Sequence, residues 1–166
     1  IDHLAPDGRA GVIVPNGVLF GSTKAARKVR ELLLTECELQ AVVNLPSGVF
    51  KPYSGVGTAA LIFKKRKAPI PIPSPVDDKT IDKGRGSEFV WFYDLTADGF
   101  SLDDKRTPIE ANDIPDVIAK WPGREEGPNS YRVRLAKIAE SEDIRLAAGG
   151  YKPVKVETAN HDDPAE

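Results

Sequence analysis

Two short apolar runs, Leu39 to Leu45 and Thr58 to Phe63, flank a loop of turn formers, PSGVFKPYSGVG, and this arrangement constrains the fold more than any other feature. Runs of this length between Gly and Pro residues are buried strands rather than helices. Asn44, Pro46, Ser47 and Gly48 stop the first run. Turn residues account for the turn, but not for Phe50 and Tyr53 within it. The loop is therefore the first place to look for chemistry.

The flanking sequence extends the pattern. Ala10 to Val14, bounded by Gly8 and Pro15, reads as another buried strand, and Pro15-Asn16-Gly17 breaks it. From Ser22 or Thr23 as N-cap the spacing predicts a helix with Ala26, Val29, Leu32 and Leu33 on one stripe. Arg27 and Glu31 sit one turn apart and can pair. Strand, helix, strand, loop, strand is the rhythm of an α/β sheet.

Beyond this core, residues 68–87 read as a Pro-rich extended excursion, with Pro69, Pro71, Pro73 and Pro75 followed by Asp77-Asp78. Strand character returns over Glu88 to Leu95. A polar segment and a short amphipathic helix, Ile114 to Trp121, then complete the domain over residues 88–121. Residues 122–166 carry weak signals and read as an irregular extension, with His161 to Glu166 a frayed acidic tail.

The 166 residues are 40% apolar and 29% charged, the profile of one globular core. A net charge of −2 excludes a global positive field, so any contact with nucleic acid is local. No apolar stretch approaches the roughly 20 residues that span a bilayer, and no secretion signal opens the chain, which predicts a cytoplasmic protein. Cys37 is alone and His3 and His161 lie near the ends, which argues against a disulfide or a Cys/His metal site. A chain that opens on Ile1 and holds no methionine reads as part of a longer protein.

Three segments together carry a family resemblance: GRAGVIVPNGVLFGS at 8–22, ELQAVVNLPSGVFKPYSGVGTAALIFKK at 38–65, and VWFYDLTADGFSLDDKRTPI at 90–109. They resemble, in order, the C-terminal half of the catalytic domain of N6-adenine DNA methyltransferases, and above all the modification (M) subunit of type I restriction-modification systems. YKP at 151–153 is similar to the family's later RYK-type motif, with Gly150 where an arginine is common. The resemblance implies that residues 1–67 are the C-terminal half of a methyltransferase core. It implies an α/β, Rossmann-like, S-adenosylmethionine-dependent fold with an incomplete sheet. The glycine-rich cofactor loop and the Asn-Pro-Pro-aromatic motif of the family's first half are absent here, so no catalytic residue is expected in this chain and the isolated chain is expected to be inactive.

Methylating an adenine amine requires the base to be swung out of the duplex and held between flat faces. By position in GVFKPYSG, Phe50 resembles the family's stacking aromatic, with Tyr53 a second candidate. Pro15 and Asn16, at the carboxyl end of their strand, are expected to line the cleft. Lys51, and the run Lys64, Lys65 and Arg66, are candidates for DNA phosphates. The competing readings are that Phe50 caps the sheet, that Tyr53 packs beneath the loop, and that the basic run is a solvated guard on a strand end. Ser54-Gly55-Val56-Gly57-Thr58 precedes a strand and lacks a Gly-Lys-Ser/Thr ending, so it is no triphosphate loop. The resemblance implies DNA, a specificity (S) subunit and a restriction (R) subunit as partners. An unpaired sheet edge would add self-association. A non-catalytic DNA- or protein-binding remnant and a small-molecule methyltransferase piece are the alternatives.

Overall fold

The two apolar runs become neighbouring strands. The computed structural model describes residues 1–72 and 89–152. In chain order the strands are β1 (Arg9–Pro15), β2 (Cys37–Leu45), β3 (Thr58–Lys65), β4 (Phe89–Asp94), β5 (Asp98–Phe100), β6 (Pro108–Asn112) and β7 (Ser130–Arg134). The helices are α1 (Asn16–Phe20), α2 (Lys24–Thr35), α3 (Ile114–Lys120) and α4 (Leu135–Ala139). The main sheet has the order β1-β3-β2-β4-β7, and β5 and β6 form a separate hairpin. β2 and β4 are parallel; the other pairs of the main sheet are antiparallel. The mixed α/β sheet anticipated from the sequence is thus present. No helix among the described residues is long and apolar enough to cross a membrane.

The period-2 geometry of strands sorts the core into two layers. On one face Leu39, Val42, Leu61, Phe63 and Phe92 pack against Leu19 of α1 and Leu33 of α2. On the other, Ala41, Val43, Trp91 and Tyr93 meet Val117 of α3 and the adjoining Trp121. The Trp91 and Trp121 rings lie 6.0 Å apart, and Trp91 Nε1 donates to the Glu125 carbonyl at 3.0 Å. β2 and β4 are covered on both faces, which is why their sequences are nearly continuous apolar runs.

Several elements differ from the sequence expectation. β1 is exposed rather than buried: Val12 and Ile13 keep 42% and 50% of their surface, because among the described residues β1 pairs with β3 alone. Asn16 and Gly17 do not form a turn but open α1 directly after Pro15. Thr23 is the N-cap of α2, its Oγ1 accepting from Ala26 N at 3.2 Å, and Arg27 pairs with Glu31 at 3.2 Å. The buried stripe of α2 is rotated, however, to Arg30, Leu33 and Leu34, and Val29 is exposed. On α3 only Val117 of the expected apolar positions packs inward, with Trp121 just beyond its end; Ile114 and Ile118 are exposed. Cys37 is not at a helix end but begins β2, fully buried, and burial pushes its thiol pKa up.

The extension after Pro122 is not irregular over its described part. β7 adds the last strand, antiparallel to β4 with Phe92 opposite Tyr131, and these two rings stack at 5.7 Å. α4 follows, burying Leu135 and Ile138. The prolines at 73 and 75, Asp77-Asp78, Glu88, Pro153 and the acidic tail lie outside the described residues.

Arg30 holds the helical layer together. Its side chain is fully buried, and its guanidinium donates to the carbonyls of Val18 at 2.7 Å, Gly21 at 3.0 Å and Asp143 at 2.8 and 3.0 Å. α1, the α1–α2 turn and the segment after α4 are thereby tied to one side chain. Next to Asp143, the buried β-branched Ile144 has φ 49°, a conformation that costs on the order of 1–3 kcal/mol and persists only where its surroundings impose it. Replacing Arg30 with Met retains apolar bulk but orphans three carbonyls, each costing about 1–3 kcal/mol. Urea unfolding of Arg30→Met is therefore expected to show a loss of about 3 kcal/mol or more; a loss below about 1 kcal/mol would contradict this role.

Candidate functional site

The loop between β2 and β3 is a chain of tight turns. Val49 N donates to Pro46 O, Lys51 N to Gly48 O, and Ser54 N to Phe50 O at 3.0 Å. Gly48 has φ 98°, and a Cβ there would lie 2.6 Å from the Leu102 carbonyl in the β5–β6 turn. Only glycine fits such a position. Lys51 Nζ lies 3.4 Å from an Asp104 carboxylate oxygen in the same turn. The base of the loop is thus seated on the hairpin while its aromatics remain accessible. Phe50 is 38% exposed and Tyr53 95% exposed, so Tyr53 does not pack beneath the loop. Gly48→Ala is expected to unseat the loop without unfolding the sheet. Limited proteolysis within residues 46–57 should accelerate several-fold while the global unfolding midpoint barely moves; unchanged cleavage would contradict the seating.

Pro15 and Asn16 reach the foot of this loop. Pro15 is opposite Thr58 in the β1–β3 register, and Asn16 N donates to Gly57 O at 3.0 Å. A Cβ on Gly57 would come within 2.8 Å of Asn16 Nδ2 and 3.3 Å of Ser47 Oγ, so the three residues converge at the foot of the loop. Asn16 Oδ1 and Thr58 Oγ1 are buried without a hydrogen-bond partner among the described residues. Unsatisfied buried polar atoms are uncommon and concentrate where water or function completes them. The sequence brought Pro15, Asn16 and the aromatic loop to attention separately; the fold puts them together.

A polar cluster that the sequence did not single out lies beside them. Asn44 and Asp94 are register partners at the carboxyl ends of the parallel strands β2 and β4. Asn44 Nδ2 donates to Asp94 Oδ1 at 2.8 Å, and Lys152 Nζ lies 3.3 Å from Asp94 Oδ2. Carboxyl ends of parallel strands are where open α/β sheets place ligands. The available signal was a polar side chain just before the terminal leucine of each run, Asn44 before Leu45 and Asp94 before Leu95.

The basic run sits elsewhere. Lys64 and Lys65 end β3, roughly 20 Å from Thr58 by strand rise, at the opposite end of the sheet from Phe50. Lys64 and Lys67 flank Asp7 at 2.8 and 3.2 Å, and hold its carboxyl below the ordinary carboxylate range. Lys65 Nζ donates to the carbonyls of Ile1 and Leu4, and Arg66 Nε to that of Cys37. These side chains fold the first residues onto the sheet; the structure does not bring them to the loop. Arg106 is likewise engaged, pairing with Asp98 and lying over the Phe100 ring.

Among the described residues no group of three or more His, Cys, Asp or Glu side chains is placed to hold a metal ion. A methyl-donor nucleoside fits poorly on the residues present. β1 runs from Pro15 straight into α1, and β7 from Arg134 straight into α4, so neither strand-to-helix junction forms a glycine-rich cradle of backbone amides.

The family model for N-6 DNA Methylase matches residues 1–159. The type I restriction enzyme EcoEI methylase subunit of Escherichia coli is 31% identical over 98% of this chain. The StySJI methylase subunit of Salmonella typhimurium is 33% identical over 86%. This chain spans only 30% and 26% of those two relatives, respectively. The crystal structure of a modification subunit from Vibrio vulnificus YJ016 superposes with a TM-score of 0.58 at 26% identity, covering 79% of this chain and 23% of that one. The partial sheet is therefore similar to part of the fold of that subunit.

Proposed function

Because this chain belongs to the N-6 DNA Methylase family of DNA methyltransferases, we propose that it forms the target-base side of the catalytic cleft of a type I modification subunit that methylates adenine N6. The observation that carries this is the loop itself: Phe50 is presented half-open on a loop pinned by Gly48 against Leu102, at the sheet end that also holds Asn16, Asn44 and Asp94. A rigid seat beneath an accessible ring is what stacking a swung-out base requires. Tyr53, more exposed and further along the loop, supplies a second face, and Pro15 with Asn16 the floor. Lys51 lies beside the rings and serves a flanking phosphate, exchanging its contact with Asp104. Lys64, Lys65 and Arg66 are too distant to join it at one base.

S-adenosylmethionine, the donor the family implies, is held by residues outside this chain, as is the group that engages the adenine amine. DNA, a specificity subunit and a restriction subunit are the partners of the complete protein. β1, with its exposed Val12 and Ile13, offers an open edge through which the isolated chain self-associates. Light scattering should then report a dimer that Val12→Lys reduces to monomer, and a monodisperse wild-type monomer would count against the edge.

The stacking role is tested in the full-length protein. A base stacked on an aromatic is worth about 1–3 kcal/mol, so Phe50→Ala should slow methylation by between roughly fivefold and 150-fold. Binding of the methyl donor should be unaffected, and Tyr53→Ala should cost less. Unchanged methylation kinetics in Phe50→Ala would sink the assignment.

A further inference from the structure

The outer edge of β7 carries a feature that the cleft does not use. Arg132 and Arg134 alternate outward from this strand while Tyr131 and Val133 face the core. Period-2 spacing puts the two guanidinium stems roughly 7 Å apart on one side. Both guanidiniums lie over the Phe89 ring, at 5.8 and 5.7 Å from its centroid, which orders them as neighbours despite their like charge. Lys137 of α4 and the Tyr151–Lys152 turn form the other wall of a groove of about 430 Å³, and among the described residues no acidic side chain lines it. The chain as a whole is net negative, so four cations around one groove are a local concentration.

Each cation has surroundings that must be weighed. Arg132 lies 4.0 Å from Glu126, Lys137 2.6 Å from Glu140 and Lys152 3.3 Å from Asp94, while Arg134 makes further interactions of its own. The three carboxylate pairs are solvent-exposed contacts worth little individually, so a polyanion can exchange with them. Guarding an edge strand against self-pairing accounts for outward arginines. It does not account for a concave groove with a tyrosine in its wall.

The groove also has a direction. Its Lys152 end meets Asp94 and, through it, Asn44 at the carboxyl ends of β4 and β2, two residues before Pro46, where the aromatic loop begins. Its Arg134 and Lys137 end lies toward the amino end of β4, where Phe89 is opposite Arg134. A backbone laid along it would enter beside the cleft and continue past it.

We propose that the groove formed by Arg132, Arg134, Lys137, Tyr151 and Lys152 binds the phosphodiester backbone of duplex DNA next to the target base. This rests on the DNA-methyltransferase reading above and supplies what the loop lacks. Extruding a base requires the flanking backbone to be held, and the loop's own Lys51 is a single cation already beside Asp104. The groove reads no sequence, because phosphate contacts position the duplex without specifying it.

The test uses the full-length protein and a fluorescein-labelled duplex carrying a methylation site, followed by anisotropy over a salt series. Each phosphate contact contributes about 0.9 to the slope of log K against log salt. The double variant Arg132→Ala/Lys137→Ala is therefore expected to flatten the slope by roughly 1.8, and to weaken a duplex without the site equally. Lys137→Arg should retain the wild-type slope, and Lys24→Ala, on the exposed start of α2, should leave it unchanged. Both substituted side chains are exposed, so the urea midpoint reports whether folding is intact. An unaltered slope in a folded double variant overturns the proposal, as does an equal flattening by Lys24→Ala. Loss of methylation in Phe50→Ala with a normal slope leaves the groove standing; a wild type that binds no DNA overturns both readings.

Discussion

The fold depends on a buried guanidinium that is satisfied by backbone rather than by a carboxylate side chain. Arg30 reaches the carbonyls of Val18, Gly21 and Asp143. Without it, α1 would be a single helical turn with no hydrogen bond to α2 among the described residues, and the left-handed Ile144 would lose the anchored carbonyl beside it. Burying a charge is costly unless every donor is matched, and charge-assisted bonds to carbonyls repay that cost only in a fixed geometry. Leu146 N adds a bond to Leu19 O at 2.8 Å, so the same region is latched twice. The consequence for function is positional. α1 begins at Asn16, and whatever fixes α1 fixes the residue that meets Gly57 at the foot of the aromatic loop.

From that anchor the sheet carries position to the loop. Strand registers place Pro15, Thr58 and Leu45 in one row, and Asn44 beside Asp94 in the next. The β5–β6 hairpin then closes on the loop through Leu102 and Asp104. A loop rigid at its base and open at its tip is suited to receiving a flat ligand, because little conformational entropy is left to lose on binding. The β7 groove ends at the same row of residues, so one edge of the sheet can hold backbone while the neighbouring loop holds a base.

What the sequence disclosed follows from range. The strands β2, β3 and β4 were legible because burial on both faces writes an unbroken apolar run into the chain. The α2 start was legible because Thr23 caps locally. β7 was not, since SYRVR leaves both arginines exposed and its place depends on pairing with β4, forty positions away in the chain. The role of Arg30 was not legible, because its partners are carbonyls that only the fold assembles. Lys64, Lys65 and Arg66 read as phosphate ligands or strand guards, and their contacts with Asp7, Ile1, Leu4 and Cys37 required the tertiary structure. For the site, the aromatic loop and Pro15-Asn16 were visible locally. Their convergence at Gly57, and the Asn44–Asp94 pair fifty residues apart, were not.

The central claim is that the Phe50 ring stacks on the extruded base, and fluorescence of a substituted base tests it most directly. A duplex carrying 2-aminopurine in place of the adenine to be methylated brightens when that base leaves the helix, and is quenched again by an aromatic neighbour. Bound to the full-length protein, Phe50→Leu should give brighter emission with a longer mean lifetime than the wild type, at equal saturation. Identical emission and lifetimes for the two proteins would contradict the account.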